Sequence, residues 1–231
     1  MNTESILHRH NNRFSIGIAE TEQEVRAFQQ LVFRKYCEEL KWLDPEEYPE
    51  GFVTDEYDQI SSIVVVSDKD GLAGSIRMVH SGDRPFPHEY LLEKSLPSIP
   101  LPIADSVKKR LAKIPRSNMV EATRVISARK NSAGLSTELA KVMHWYGIYA
   151  ELEAFYLAID VGFFQLSTKI GFPIHPIGIP QLCEGSWVIP GIVIHDQIAG
   201  SIRGYSEELY EHIVSPNNLI GSWESNKRMV A

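Results

Sequence analysis

Cysteine is scarce in this sequence: Cys37 and Cys183 are the only two among 231 residues. They stand far apart, with no second pair and no histidine close by in the chain, which excludes a disulfide framework and a zinc knuckle. Both are read as reduced thiols of the core or of a helix face. Also missing is any unbroken apolar run of the roughly 18 residues that a membrane helix needs. Residues 1–12 lack the basic start and hydrophobic stretch of a signal peptide, and the chain is expected to be cytoplasmic with no transmembrane segment. The histidines His8, His10, His80, His88, His144, His175, His195 and His212 are scattered without metal-ligand spacing, so no metal is expected. Neither G-x-S-x-G nor G-x-x-x-x-G-K occurs, which removes the serine hydrolase and P-loop classes. No internal repeat or low-complexity linker interrupts the chain.

What is present is an ordinary globular composition, 43% apolar and 23% charged. At this length one hydrophobic core suffices, so residues 1–231 are expected to form one domain, with 1–12 a flexible tail and 81–117 a variable insert. Net charge is −7, unevenly spread. From Ser106 to Lys141, nine basic residues (Lys108, Lys109, Arg110, Lys113, Arg116, Arg124, Arg129, Lys130 and Lys141) face only Glu121 and Glu138. Acids dominate from Glu20 to Asp58. A basic window on an acidic protein suggests either a specific anionic partner or a merely solvated face; nucleic acid would more often require a basic domain.

Apolar periodicity gives the order of elements. Phe14, Ile16 and Ile18 alternate as in a strand, and Thr21 with Glu24 makes a capping box for a helix to about Leu40. Asp44 to Gly51 is read as a loop. Ile60 to Ser67 and Leu72 to His80 form a hairpin around Asp68 to Gly71. Prolines break the chain around a helical piece near His88 to Lys94, and Ser106 to Lys113 is helical and basic. Met119 to Ala128 reads as a strand, Ser136 to Ala150 as a helix, and Phe155 to Ile159 as a buried strand. Phe163 to Ile170 is a short helix closed by Gly171 as a left-handed cap. Ile192 to His195 is the last clear strand, before a helix at 206–213. The fold class is α/β (α+β), a layer with mixed strand directions.

This order resembles the GNAT acyltransferase fold, which implies a central, mixed, mostly antiparallel sheet flanked by helices, and FFQLSTKIGF (163–172) resembles that fold's penultimate helix ending in lysine, a small spacer and Gly-Phe. More specific is the series VFRKYCEELKWL (32–43), DEYD (55–58), GSIRMV (74–79) and VEATRV (120–125). In that order these segments resemble the acyl-homoserine lactone synthases and their relatives, the N-acyl amino acid synthases and exosortase-associated acyltransferases. Two departures stand out. The lactone synthases usually carry arginine where this chain has Val32 and glutamate where it has Val53. Both remove charge from the acceptor end, so the resemblance implies an acceptor other than S-adenosylmethionine, most simply an amino acid.

The implied chemistry is transfer of a fatty acyl group from a thioester to an amine, which needs a neutral amine, an oxyanion site and an acid for the leaving sulfur. The resemblance makes Glu121 a base or water-positioning group, with a structural pair to a basic neighbour as its alternative. On a regular strand Glu121 and Arg124 would point to opposite faces, so both act in one site only if the strand bulges. Arg77 and Arg124 would hold an acceptor carboxylate or tie the helix-1 loop to the sheet. Asp55 and Asp58 would line the amine side or cap a solvated loop. Tyr36, Trp42 and Phe33 would wall a pocket or serve as plain core. For the donor, the fold implies that Val125 and Ser127 face the pantetheine and that Arg129 and Gly134 belong to the phosphate turn. Ser132 stands where that turn usually has its first glycine. A degraded turn fits a 4'-phosphopantetheine thioester on acyl carrier protein better than acyl-coenzyme A, which stays the second donor, and no tightly bound cofactor is implied. The acidic carrier protein could dock on the basic window. The alternatives are an acyl-homoserine lactone synthase and a non-catalytic module that binds an acyl carrier.

Overall fold

Eight strands of alternating or continuous apolar character join into one sheet in a computed structural model, which describes residues 14–93, 105–128 and 135–215. They are β1 Ser15–Ile18, β2 Ser61–Asp68, β3 Gly71–His80, β4 Met119–Ser127, β5 Ala154–Asp160, β6 His175–Pro176, β7 Gln181–Cys183 and β8 Ser186–Ile194. Their order is β1-β2-β3-β4-β5-β8-β6, with β7 also paired to β8. Every pairing is antiparallel except β4 with β5. This is the mixed, mostly antiparallel sheet that the resemblance implies.

The helices are α1 Glu22–Phe33, α2 Tyr90–Glu93, α3 Asp105–Leu111, α4 Leu135–Tyr149, α5 Val161–Thr168, α6 His195–Tyr205 and α7 Glu207–Ile213. The Thr21 and Glu24 capping box starts α1 as expected. From Arg34 to Glu39 the chain continues in a π-helical turn, a form that recurs at functional sites. Lys41 then adopts φ 58°, and the Trp42 amide donates to the Tyr36 carbonyl at 2.7 Å. That reversal folds the end of the segment back on itself. The 44–51 loop contains one short 3-10 turn, Pro45–Glu47, which Asp44 caps.

Two differences from the sequence reading lie near the C-terminus. The strand expected at 192–195 begins at Ser186, and His195 is not its last residue but the first of α6. This helix carries Gly200 and Gly204 and has no side-chain N-cap, so local signals are weak. It is held by Ile198 and Ile202, fully buried at helical spacing.

The main core lies between α4, α6 and one sheet face, around Ile76, Met78, Val120, Ala122, Tyr146 and Phe155. A second core on the opposite face joins α1 to Ile63 and Ile126 through Phe28, Leu31 and Val32. The β4–β5 pairing covers only Met119 to Ala122 against Ala154 to Leu157. Both strands run on past it, so the sheet opens there.

Gly171 has φ +72°. Its amide bonds Thr168 and the next amide, Phe172, bonds Ser167, the two hydrogen bonds of a Schellman motif. A Cβ at Gly171 would also lie 2.6 Å from the Tyr205 Cβ. Gly171→Ala should therefore destabilise by about 2–4 kcal/mol through left-handed strain and overpacking. Gly200→Ala, with nothing within 4 Å of the added carbon, should stabilise by about 0.4–1 kcal/mol. Paired urea denaturation curves measure both.

Candidate active site

The β4 bulge determines which side chains meet. On β3, Arg77 pairs with Thr123 and Ser75 with Ile126, leaving Ile76 opposite both Arg124 and Val125. Arg124 carries the extra residue's conformation, φ 48°, which costs a non-glycine residue about 1–2 kcal/mol. Val120, Ala122 and Val125 consequently face the α4 core, whereas Ile126 faces the α1 core. Arg124 joins Glu121 and Thr123 on the α1 side of the sheet. The bulge required by the sequence argument is present.

On that side two guanidiniums meet two carboxylates. Arg77, 2% exposed, donates Nε to Thr123 Oγ1 at 2.9 Å and Nη1 to Asp55 Oδ1 and Asp58 Oδ1 at 2.6 Å each. Arg124 donates Nη2 to Asp55 Oδ2 at 2.8 Å, and its Nη1 lies 3.5 Å from Asp58 Oδ1. Gln29 Nε2 donates to Asp58 Oδ2 at 3.1 Å, and the Tyr57 amide donates to Asp55 Oδ1. Burial opposes ionisation of Asp55, but the Arg77 hydrogen bond and the charges of Arg124 and Arg77 outweigh it and hold its carboxyl below the usual range. The 55–58 loop is thereby tied to the sheet.

Glu121 is fully buried. Its Oε2 accepts from the His88 amide at 3.1 Å, and its Oε1 lies 2.5 Å from His88 Nδ1. Tyr156 donates its hydroxyl to the His88 carbonyl at 3.0 Å, so backbone and ring are both fixed. Cys183 lines the same cavity as the imidazole, and the Tyr90 hydroxyl lies 3.3 Å from Cys183 Sγ. Burial works against a charge on His88, yet neighbouring Cys183 and the hydrogen bond and charge of Glu121 push its pKa up to about 10. Cys183 ends β7, and Glu184 and Gly185, at φ 46° and 79°, make the two-residue turn into β8. Gly185 packs on Trp42: a Cβ there would lie 3.0 Å from the Trp42 backbone.

A cavity of about 420 Å³ runs through the opening between β4 and β5. Its apolar part is walled by Leu139, Ala140 and Met143 of α4 with Ile76, Ala122 and Leu157 of the sheet. Its polar part is walled by Asp55, Arg77, Thr123, Arg124, His88 and Cys183. The size is that of a small-molecule site. Among the residues singled out from sequence, Tyr36, Trp42, Asp55, Arg77, Arg124 and Val125 line it. The Tyr36 and Trp42 rings pack at 5.1 Å between centroids. Asp58 and Glu121 stand behind this wall, on Arg77 and on His88. Phe33 packs in the α1 core, and Ser127 pairs with Gly74 at the end of β4. Arg129 and Gly134 lie outside the described residues.

The basic window does not survive as one surface, because Arg124 is engaged in the quartet and Lys141 is 4% exposed. Arg110 pairs with Asp196 and Arg116 with Glu89.

The sequence alone gives His88 and Cys183 no special role. Their meeting joins a turn that follows Pro85 and Pro87 to a hairpin ninety-odd positions later, a contact that no local pattern encodes. The Glu184-Gly185 pair, apt for a two-residue turn, was the one available sign of that hairpin. A histidine whose pKa is raised on folding stabilises fully below its ordinary value of about 6.5 and loses that contribution as pH rises through about 10. His88→Gln should therefore lower stability most at pH 6 and progressively less towards pH 10, in urea titrations of variant and wild type at each pH.

No protein-family model and no curated protein sequence matches the chain. Solved structures do. FeeM, an N-acyl amino acid synthase from uncultured soil microbes, superposes with a TM-score of 0.58 at 12% identity, over 84% of this chain and 97% of that one. The acyl-homoserine lactone synthase LasI gives 0.59 at 15%, over 83% and 95%. BjaI, a coenzyme A-dependent acyl-homoserine lactone synthase, gives 0.59 at 15%, over 88% and 90%. The chain therefore has the GNAT-like acyltransferase fold that these synthases share.

Proposed function

We propose that this protein is an N-acyltransferase that moves a fatty acyl group from an acyl carrier protein thioester to the amine of a small acceptor, most simply an amino acid. The cavity carries the reading. It joins an apolar space between α4 and the sheet, suited to an alkyl chain, to a polar chamber at the opening between β4 and β5. Beyond Ala122 the β4 edge no longer pairs with β5, so its backbone amides and carbonyls can take the amides of a pantetheine arm. The chamber presents guanidiniums at Arg77 and Arg124 and carboxylates at Asp55, Glu56 and Glu184, both signs that an amino acid requires.

His88 faces this chamber and is oriented by Glu121 through two hydrogen bonds. It is the group that carries a proton between the amine and the leaving sulfur. Glu121 touches no part of the cavity and is a positioning residue. The carrier protein is favoured as donor by the Ser132 departure and by exposed Lys108, Lys109 and Lys113, which suit an acidic partner. FeeM, with the same fold, is an N-acyl amino acid synthase, which supports an amino acid acceptor.

The test offers purified protein a series of acyl chain lengths on carrier protein and on coenzyme A, with a panel of amino acids, and reads products by mass spectrometry. N-acyl amino acids are expected. Lactones formed from S-adenosylmethionine would replace the acceptor assignment, and no acylated product with either donor would overturn the enzyme reading in favour of a carrier-binding module. Glu121→Gln should lower kcat by about 100-fold with KM little changed, and Glu121→Asp should restore part of it. Met143→Trp, filling the apolar arm, should move the product distribution to shorter chains.

A further inference from the structure

The polar chamber holds a thiol that direct transfer to an amine does not use. Cys183, His88 and Glu121 come from three distant segments. The thiol and the imidazole line the same chamber and interact there, the imidazole Nδ1 lies 2.5 Å from the carboxylate, and the carboxylate is buried and also holds the His88 amide. A nucleophile, a base within reach of it and a third group orienting the base is the arrangement that activates a covalent catalyst. Cys183 is not in a disulfide, lines the cavity and is 8% exposed. Cys37, by contrast, is fully buried in the α1 core and does not line the cavity.

The surroundings are built to hold the thiol in place. The Glu184-Gly185 turn fixes Cys183 opposite Ser186, and Ser186 donates to Asp160, which caps α5. Tyr90 reaches the sulfur from α2, and Tyr156 holds the His88 backbone from β5. The sulfur itself is met by the Tyr90 hydroxyl and packs against Leu91 and Val188.

We infer that Cys183 is an acyl-accepting nucleophile, so that the acyl group passes through a Cys183 thioester before it reaches the acceptor. The inference rests on the acyltransferase reading above. In the first step Cys183, as thiolate, attacks the carbonyl carbon of the donor thioester. The bond from that carbon to the pantetheine sulfur breaks, the sulfur takes the proton of the His88 imidazolium, and free pantetheine thiol leaves. In the second step the neutral acceptor amine attacks the acyl-Cys183 carbonyl, its proton passes to His88, and Cys183 departs as thiolate. Enzyme and imidazolium are regenerated, and nothing is oxidised or reduced.

The test uses the full chain and tetradecanoyl-N-acetylcysteamine thioester, a small donor that makes neither a carrier-protein nor a nucleotide contact. Incubated without acceptor, wild type should gain one tetradecanoyl mass, mapped by peptide mass spectrometry to Cys183 and released by neutral hydroxylamine. Cys183→Ala and Cys183→Ser should lose the adduct and lose N-acylation by about 100-fold or more. Circular dichroism spectra matching wild type show that these variants are folded. Cys37→Ala should keep both. Initial rates with varied donor and acceptor should give parallel double-reciprocal lines. N-acylation by Cys183→Ala near the wild-type rate would overturn the relay and leave the acyltransferase reading standing. An adduct on Cys183 without any N-acyl product would support the relay and sink the amine acceptor. Absence of the adduct in wild type would overturn the relay whatever the products.

Discussion

Arg124 in the left-handed region is the constraint on which the site depends. By placing two β4 residues opposite Ile76 it breaks the period of two. The residues before it keep Val120 and Ala122 on the α4 core, and those after it return Val125 to that core. Arg124 itself turns to the face of Arg77, Thr123 and Glu121. The same irregularity follows directly on the last β4–β5 pair. A bulge bends its strand and increases its twist, so β4 leaves β5 where the cavity passes between them. The left-handed strain at a non-glycine residue is held by the bonds of its guanidinium to Asp55 and Asp58.

Two ionic groupings share that face and do different work. In the quartet, two guanidiniums and two carboxylates neutralise one another, and the Arg77 Nε bond to Thr123 locks the group to β4. Such a buried grouping adds modest net stability, but removing a member leaves an unpaired charge. It therefore serves as a fastening for the loop that walls the chamber. The His88–Glu121 pair is different: the carboxylate is wholly enclosed, the imidazole faces the cavity, and a thiol stands beside it. One grouping gives shape, and the other is the pair proposed to handle protons.

Much of this was readable from residues. Alternation found β1 to β5, the capping box at Thr21 found α1, and Gly171 was recognised as the left-handed residue that closes α5, because each signal is local. The helix α6 was missed because its glycines and uncapped start hide a segment that only Ile198 and Ile202 hold in place. The site was legible where it rested on ordered segments: Tyr36, Trp42, Asp55, Arg77 and Arg124 do meet. The relation of Glu121 to Arg124 was not, since it turns on one bulge. Nor were His88 and Cys183, whose encounter is made by tertiary structure alone. The basic window shows the opposite error, because charges contiguous in sequence part company when Arg124 and Lys141 turn inward.

The central claim is that the opening between β4 and β5 receives an acyl-pantetheine arm. A crystal structure with a dodecanoyl-pantetheine analogue, in which a methylene replaces the thioester sulfur, tests it most directly. The account predicts the alkyl chain against Leu139, Ala140 and Met143, the carbonyl beside His88 and Cys183, and the pantetheine amides on the β4 edge beyond Ala122. An analogue bound elsewhere on the protein, with this cavity empty, would contradict it.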